Sequence, residues 1–216
     1  FTSHASHSAR VVNILGDDKN VYNVGALAIE YMQNFESYTA EEFDSLFQFD
    51  LNTPFILTTY HPDTRNLGNE EKIRSLTQAL HAISFPVLCT LPNADREGML
   101  VREALVKYER EYPDKIKCFE NLGQKGYMTA MKHCKFMLGN TSSGIIEAAT
   151  FDKVVIDVGD RQKGRLAGEN VIHVGHEAED ILKGVEKIET MPEKQYVNPY
   201  GDGNTSQKIL DILEEL

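Results

Sequence analysis

Residues 135–147 read Lys-Phe-Met-Leu-Gly-Asn-Thr-Ser-Ser-Gly-Ile-Ile-Glu. Four residues of strand character, Lys135 to Leu138, run into a turn of small and hydroxylated residues. A helical start follows, with the carboxylate of Glu147 one turn in. The opening of a helix carries unpaired backbone N–H groups and a partial positive charge, and phosphate oxygens satisfy both. Thr141, Ser142 and Ser143 add hydroxyl donors, Gly144 lets backbone approach a ligand, and Glu147 stands where an acceptor can take a pair of ribose hydroxyls. The stretch therefore fits one wall of a pocket for a nucleotide diphosphate. An ordinary capped helix uses the same residue types, so the turn alone leaves both readings open.

The rest of the chain repeats the strand-then-helix pattern. Short β-branched or apolar runs occur at Asn20 to Val24, Pro54 to Tyr60, Pro86 to Leu91, Lys115 to Phe119, Lys135 to Leu138, Lys153 to Val158 and Asn170 to Val174. Helical periods fall at Asn69 to Ile83, Arg96 to Glu111, Gln124 to Cys134 and Gly144 to Thr150. Such alternation predicts an α/β fold, a Rossmann-like parallel sheet with helices on both faces. Ligands of such sheets bind beyond the carboxyl ends of the strands. Tyr60-His61-Pro62, Pro92-Asn93-Ala94, Glu120-Asn121, Asn140 to Ser143 and Gly159 to Arg161 all fall at those ends. Thr39-Ala40-Glu41-Glu42 has capping-box spacing and predicts a helix through about Phe47. Ala178 to Ile188 and Gln207 to Leu216 are amphipathic helical patterns separated by a Pro- and Gly-bearing stretch, Met191 to Gly203.

Composition narrows the chemistry. A 216-residue chain with 41% hydrophobic residues can build a sizeable core, and no run approaches the roughly 18 apolar residues of a membrane span. No basic-then-apolar leader opens the sequence, so a cytoplasmic location is expected. Cys89, Cys118 and Cys134 are odd in number and distant in sequence, which predicts reduced, mostly buried thiols and neither a disulfide framework nor a Cys-based metal site. The formal net charge of −11 disfavours nucleic acid and anionic membrane as partners. A polyanionic ligand then needs local cations, and Asp160-Arg161-Gln162-Lys163-Gly164-Arg165 offers three within five residues. Charge alone also permits a solvated basic loop. His4 and His7 lie at i, i+3 with no further metal ligand nearby and read as frayed surface residues.

Taken in order, Thr58-Thr59-Tyr60-His61-Pro62-Asp63-Thr64, Pro92-Asn93-Ala94-Asp95, Glu120-Asn121-Leu122, Gly139 to Glu147, Gly159 to Arg165 and Tyr200-Gly201-Asp202-Gly203-Asn204 form a set. The set resembles the UDP-N-acetylglucosamine 2-epimerases, closest to the hydrolysing branch that supplies N-acetylmannosamine for sialic-acid synthesis. Each block is weak alone; six in order, spanning almost the whole chain, are specific. The resemblance covers the second half of the family's length. It implies the carboxy-terminal half of a GT-B two-domain enzyme: residues 1–24 a residual segment of the amino-terminal domain, 25–204 a UDP-binding domain, and 205–216 a final helix returning toward the first domain. Phe1 begins without methionine, which reads as a cut piece.

Carried over position by position, the resemblance makes His61 the cleft histidine that acts on the UDP leaving group. It places Asn93 and Asn121 near the uracil and nucleotide, where an amide with donor and acceptor suits a uracil edge. Thr141 and Ser142 become phosphate-binding hydroxyls, with Ser143 and Gly144 beside them. Glu147 becomes the ribose-binding carboxylate and Arg161 the cation of the diphosphate loop. His173 and His176 match nothing catalytic. The implied reaction removes the proton at sugar C2 and expels UDP to give a glycal, to which water adds with inversion at C2. No cofactor or metal is implied. The implied partners are a UDP-sugar and, at full length, further copies of the chain as a dimer or tetramer. The proton-transfer carboxylates have no counterpart here, so the chain alone is expected to bind UDP without turnover. Two other readings share the UDP-holding half: a GT-B glycosyltransferase and a non-catalytic nucleotide-sugar-binding module. A diacetylated bacillosamine-type sugar would use the same UDP rim.

Overall fold

The computed structural model describes residues 1–62, 68–93, 96–191 and 194–215; Asp63, Thr64, Ala94 and Asp95 of the motifs above lie outside them. Six four-residue strands form its sheet: β1 (Ile56–Thr59), β2 (Val87–Thr90), β3 (Ile116–Phe119), β4 (Phe136–Gly139), β5 (Val155–Val158) and β6 (Val171–Val174). Every pairing is parallel and the order is β3-β2-β1-β4-β5-β6. Strands β1, β2, β4 and β5 are buried at every position, as expected where both faces are covered. One face packs Ile56, Val87, Phe136 and Ile156 under helices α4 (Asn69–Ala82), α5 (Arg96–Glu111) and α8 (Ala178–Glu189). The other packs Leu57, Leu88, Met137 and Val155 under α2 (Leu27–Gln33), α3 (Ala40–Phe47), α6 (Gly123–His133) and α7 (Ser142–Ile146). Alternate residues of each strand feed the two cores, so the period of two is a period between cores.

Chain order reverses between β1 and β4. The strands after β1 build the sheet in one direction and β4 to β6 build it in the other, which leaves a crevice at their carboxyl ends. Ligands of open α/β sheets bind in such a crevice.

The capping box at Thr39 is present in full, with Thr39 Oγ1 accepting from the Glu42 N–H at 3.1 Å and Glu42 Oε2 from the Thr39 N–H at 2.9 Å. Other expectations are corrected. Asn20 to Val24 is not a strand: Asn20 is left-handed at φ 61°, and the segment makes a single parallel bridge, Thr2 to Asn23. Helix α2 went unread because no side chain caps it at Ala26; its signal is the apolar pair Ile29 and Met32, three apart and both buried. Gly144 to Thr150 is two pieces, α7 starting at Ser142 and a 3-10 turn, Ala148–Phe151. His4 is not frayed but caps α1 (Ala5–Leu15), its ring nitrogen accepting from the Ser6 N–H. The thiols are free, yet Cys89 and Cys118 stand in register on β2 and β3. The neighbouring Cys118 thiol, and then burial, push the Cys89 thiol well above its ordinary range. The last helix, α9, spans Thr205–Glu215.

Candidate functional site

At the crevice, the residue that closes β4 dictates the geometry. Gly139 has φ 149°, and a Cβ there would lie 2.0 Å from the Thr59 carbonyl oxygen of β1. Only glycine brings the two strand ends this close. The next residue, Asn140, is 1% exposed and joins them: its backbone N–H donates to Thr59 O at 3.1 Å, its Oδ1 accepts from the His61 N–H at 2.7 Å, and its Nδ2 donates to His61 O at 2.8 Å. The backbone of His61 is thus gripped on both sides, and buried Pro62 follows it.

The basic loop after β5 is tied to the same residue. Gln162, 3% exposed, donates through Nε2 to Asn140 O at 2.7 Å. Its neighbour Arg161 is exposed, and no hydrogen bond or ion pair holds its guanidinium among the described residues. Asn140 therefore brings three predicted elements together: His61, the serine turn and the loop of Arg161.

Asn93 and Asn121 belong to a second group on the far side of β1, beyond β2 and β3. Arg102 of α5 links their loops, with Nη1 donating to Pro92 O at 2.8 Å and Nη2 to Glu120 Oε1. Both asparagines are exposed, and the Asn121 oxygen accepts from the Gly123 N–H at 2.6 Å, a turn that leads into α6. The Asn121 donors remain available for a ligand, while its acceptor already serves the fold.

Within the serine turn, side chains divide by direction. Thr141 is the N-cap of α7, its Oγ1 accepting from the Ser143 N–H at 3.4 Å, so this hydroxyl first serves the helix. Ser142, the first residue of α7, is exposed. Gly144 faces the sheet: a Cβ there would meet Val155 Cγ1 of β5 at 2.8 Å, so its missing side chain makes room for helix packing. Ser143 is half-buried, and its hydroxyl accepts from Thr141 Oγ1 at 3.5 Å. Burial raises the Glu147 carboxyl above its ordinary 4.5, and the nearby Ser143 hydroxyl opposes the rise.

Asn140, Gln162 and Arg102 were missed as individual residues. Asn140 had a signal: a small amide immediately after a strand-ending glycine can both accept from and donate to a neighbouring strand. His173, without a role in the sequence reading, holds the buried Asp157 carboxylate at 2.8 Å. The ring of His176 lies over Gly159, where a Cβ would approach it to 2.0 Å. Among the described residues no group of three or more His, Cys, Asp or Glu could hold a metal ion, and no helix is long and apolar enough to cross a membrane.

Comparison with known proteins agrees with this architecture. The family profile described as UDP-N-acetylglucosamine 2-epimerase matches residues 1–214, and the chain belongs to that family. It is 36% identical over 197 residues to the GDP/UDP-N,N'-diacetylbacillosamine 2-epimerase (hydrolyzing) of Campylobacter jejuni, covering 90% of this chain and 51% of that protein. The UDP-N,N'-diacetylbacillosamine 2-epimerase (hydrolyzing) of Legionella pneumophila is 30% identical over 217 residues, covering 100% of this chain and 57% of the relative. The chain thus spans about half the length of the curated relatives it matches. Among solved structures, UDP-GlcNAc 2-epimerase from Neisseria meningitidis bound to UDP-GlcNAc superposes with a TM-score of 0.79 at 19% identity, over 100% of this chain and 61% of that one. At that identity the likeness is one of fold: the chain has the Rossmann-like architecture of one half of a GT-B arrangement.

Proposed function

We propose that this chain is the UDP-holding half of a hydrolysing UDP-sugar 2-epimerase. The observation that carries the reading is the Asn140 junction, which sets His61, the exposed Ser142 and the unpaired Arg161 around the one crevice where an α/β sheet of this order binds ligands. In this reading Arg161 and Ser142 hold the diphosphate, Glu147 takes the ribose hydroxyls, and Asn93 and Asn121 reach the base from the far side of β1. His61 stands at the leaving-group oxygen. Departure of UDP from sugar C1 places the bonding electron pair on a phosphate oxygen, and donors already aimed at that oxygen stabilise the charge. The C2 proton goes to a base outside this chain, and water completes the glycal, adding hydroxyl at C1 and a proton at C2.

The two relatives at 36% and 30% identity support a sugar of the diacetylbacillosamine type. The surface supports a partner half. Helix α1 buries none of its residues and leaves Ile14 and Leu15 83% and 60% exposed, while α9 leaves Leu210 and Leu213 each 53% exposed. We assign α1 and α9 to the boundary with that half, and the chain by itself is expected to bind UDP without turnover.

Calorimetric titration with UDP tests the assignment. Arg161→Ala removes charge-assisted hydrogen bonds and is expected to weaken binding about 10- to 100-fold, and Ser142→Ala about threefold. Unchanged affinity in both variants would sink it.

Glu147 adds a pH signature. A carboxylate accepts two hydroxyls only when ionised, and its folded pKa is raised by burial. The ribose contribution is therefore present above that raised value and lost as pH falls through it, in a window that begins above 4.5. The ratio of UDP affinity to 2',3'-dideoxy-UDP affinity is expected to fall on acidification; both ligands share the phosphate titration, which cancels. A ratio that stays flat down to pH 4.5 would remove Glu147 from the ribose.

A further inference from the structure

Strands β2 and β3 part just beyond a backbone rung in which the Leu91 N–H donates to the Phe119 carbonyl at 2.9 Å. The next residue on the β2 side is Pro92, which has no N–H with which to continue the ladder. From there the two segments run on to Asn93 and Asn121, the asparagines assigned above to the base. Arg102 stands across that gap. Its Nη1 donates to Pro92 O at 2.8 Å and its Nη2 to Glu120 Oε1, so each branch of one guanidinium holds the residue directly before one asparagine. The Arg102 side chain is 16% exposed, whereas that of Glu120 is 71% exposed and open to substitution.

A guanidinium is flat and rigid, and its branches fix two acceptors at one separation. Helix α5, which carries it, is seated on the sheet without help from Arg102. Val101 and Leu105 are buried in the core beneath it, and Glu109 Oε1 accepts from the Cys118 N–H of β3 at 2.8 Å. Arg102 therefore transmits the position of a fixed helix to two loops. Asn121 is set further by its own turn, since its oxygen is already taken by the Gly123 N–H. Its remaining donors can face only an acceptor, and uracil presents a carbonyl on either side of its ring N–H.

We propose that Arg102 is a positioning residue that determines base specificity: it holds Asn93 and Asn121 at the separation and depth that meet the edge of a pyrimidine, and so disfavours a purine. The inference rests on the UDP reading above and adds to it a residue that acts through two others. With diphosphate and ribose held on the β4 side of the crevice, the reach from ribose to base edge becomes decisive. A purine carries a second ring between its glycosidic nitrogen and its hydrogen-bonding edge, so that edge lies farther from the ribose. A clamp of fixed depth cannot serve both bases. Cutting the tie lets the two loops move independently; uracil then loses its partners and guanine gains room.

The test is calorimetry on this chain with UDP and GDP, which share diphosphate and ribose and differ only in the base. Wild type is expected to prefer UDP by about tenfold or more, the range of two hydrogen bonds made to one base and lost with the other. Arg102→Ala should weaken UDP about fivefold without weakening GDP, bringing the preference to about twofold or less. Glu120→Ala should lower the preference in the same direction, and the double variant should go no further than Arg102→Ala, because both cut one tie. Glu120→Gln keeps an acceptor oxygen for Nη2 and should retain most of the wild-type preference. Equal weakening of both nucleotides in Arg102→Ala would reduce the residue to support of the fold and overturn the proposal, as would an intact preference for UDP. Glu120→Ala decides on the same results should Arg102→Ala not fold. Wild type that holds UDP and GDP equally would also overturn the proposal while leaving the diphosphate wall in place. Wild type that binds neither nucleotide would instead overturn the UDP reading itself.

Discussion

Gly139→Ala is expected to cost more than about 4 kcal/mol of stability, the range reserved for substitutions that the fold cannot absorb. The added Cβ would lie 2.0 Å from Thr59 O and 2.8 Å from Thr59 C, and both atoms belong to the backbone of the neighbouring strand. A flexible side chain could swing away; a strand hydrogen-bonded on both sides cannot. Relief requires β1 and β4 to separate, which breaks the central pair of the sheet and the Asn140 junction just beyond it. The positive φ of 149° adds backbone strain for any L side chain. In a thermal melt followed by circular dichroism, the midpoint should fall by roughly 10 °C or more for a chain of this size, or the variant should fail to fold. A midpoint within about 2 °C of wild type, under 1 kcal/mol on the same scale, would show that β1 and β4 do not meet as described.

Asn140→Ala comes second. It strips an acceptor from the His61 N–H and a donor from the His61 carbonyl at a position 1% exposed. Leaving both groups unsatisfied costs about 2–4 kcal/mol in sum, and the His61-Pro62 corner loses its hold. Urea unfolding should register the stability loss, and UDP affinity should fall by about tenfold or more, a factor worth about 1.4 kcal/mol. Asn140→Asp sharpens the test. An aspartate keeps the acceptor for the N–H but sets an anionic oxygen against the His61 carbonyl, with burial denying it water. It should be no more stable than Asn140→Ala, whereas wild-type stability in Asn140→Asp would refute the two-sided grip.

These two positions mark where sequence reading succeeded and where it stopped. Both stand inside the stretch that predicted a strand, a turn and a helix, and all three are present. The alternation of runs and periods predicted each of the six strands found, and Thr39 with Glu42 predicted a helix start down to its two cap hydrogen bonds. Such features are legible because they depend on residues a few positions apart. The stretch did not reveal which of its side chains meet a ligand. Thr141, Ser142, Ser143 and Gly144 look alike as small residues at a helix start, yet one caps, one faces solvent, one is half-buried against the capping hydroxyl and one packs on Val155. Asn20 to Val24 failed for a related reason. Its β-branched character is real, but a strand needs a partner of suitable register, and there Thr2 provides a single bridge.

The sequence by itself determined the α/β class, the rim of strand-end loops and, through six ordered blocks, the family to which the chain belongs. The tertiary structure alone decided that β4 crosses to the free side of β1, so that residues 79 positions apart, His61 and Asn140, share two hydrogen bonds. It also decided that Gln162 ties the basic loop to that junction and that the Tyr127 phenol of α6 reaches the Thr59 hydroxyl of β1. The division has a physical cause. Periodicity and capping are local preferences written in neighbouring residues, whereas the grip on His61 and the tie from Gln162 exist only where separate strands and loops are packed within hydrogen-bonding distance.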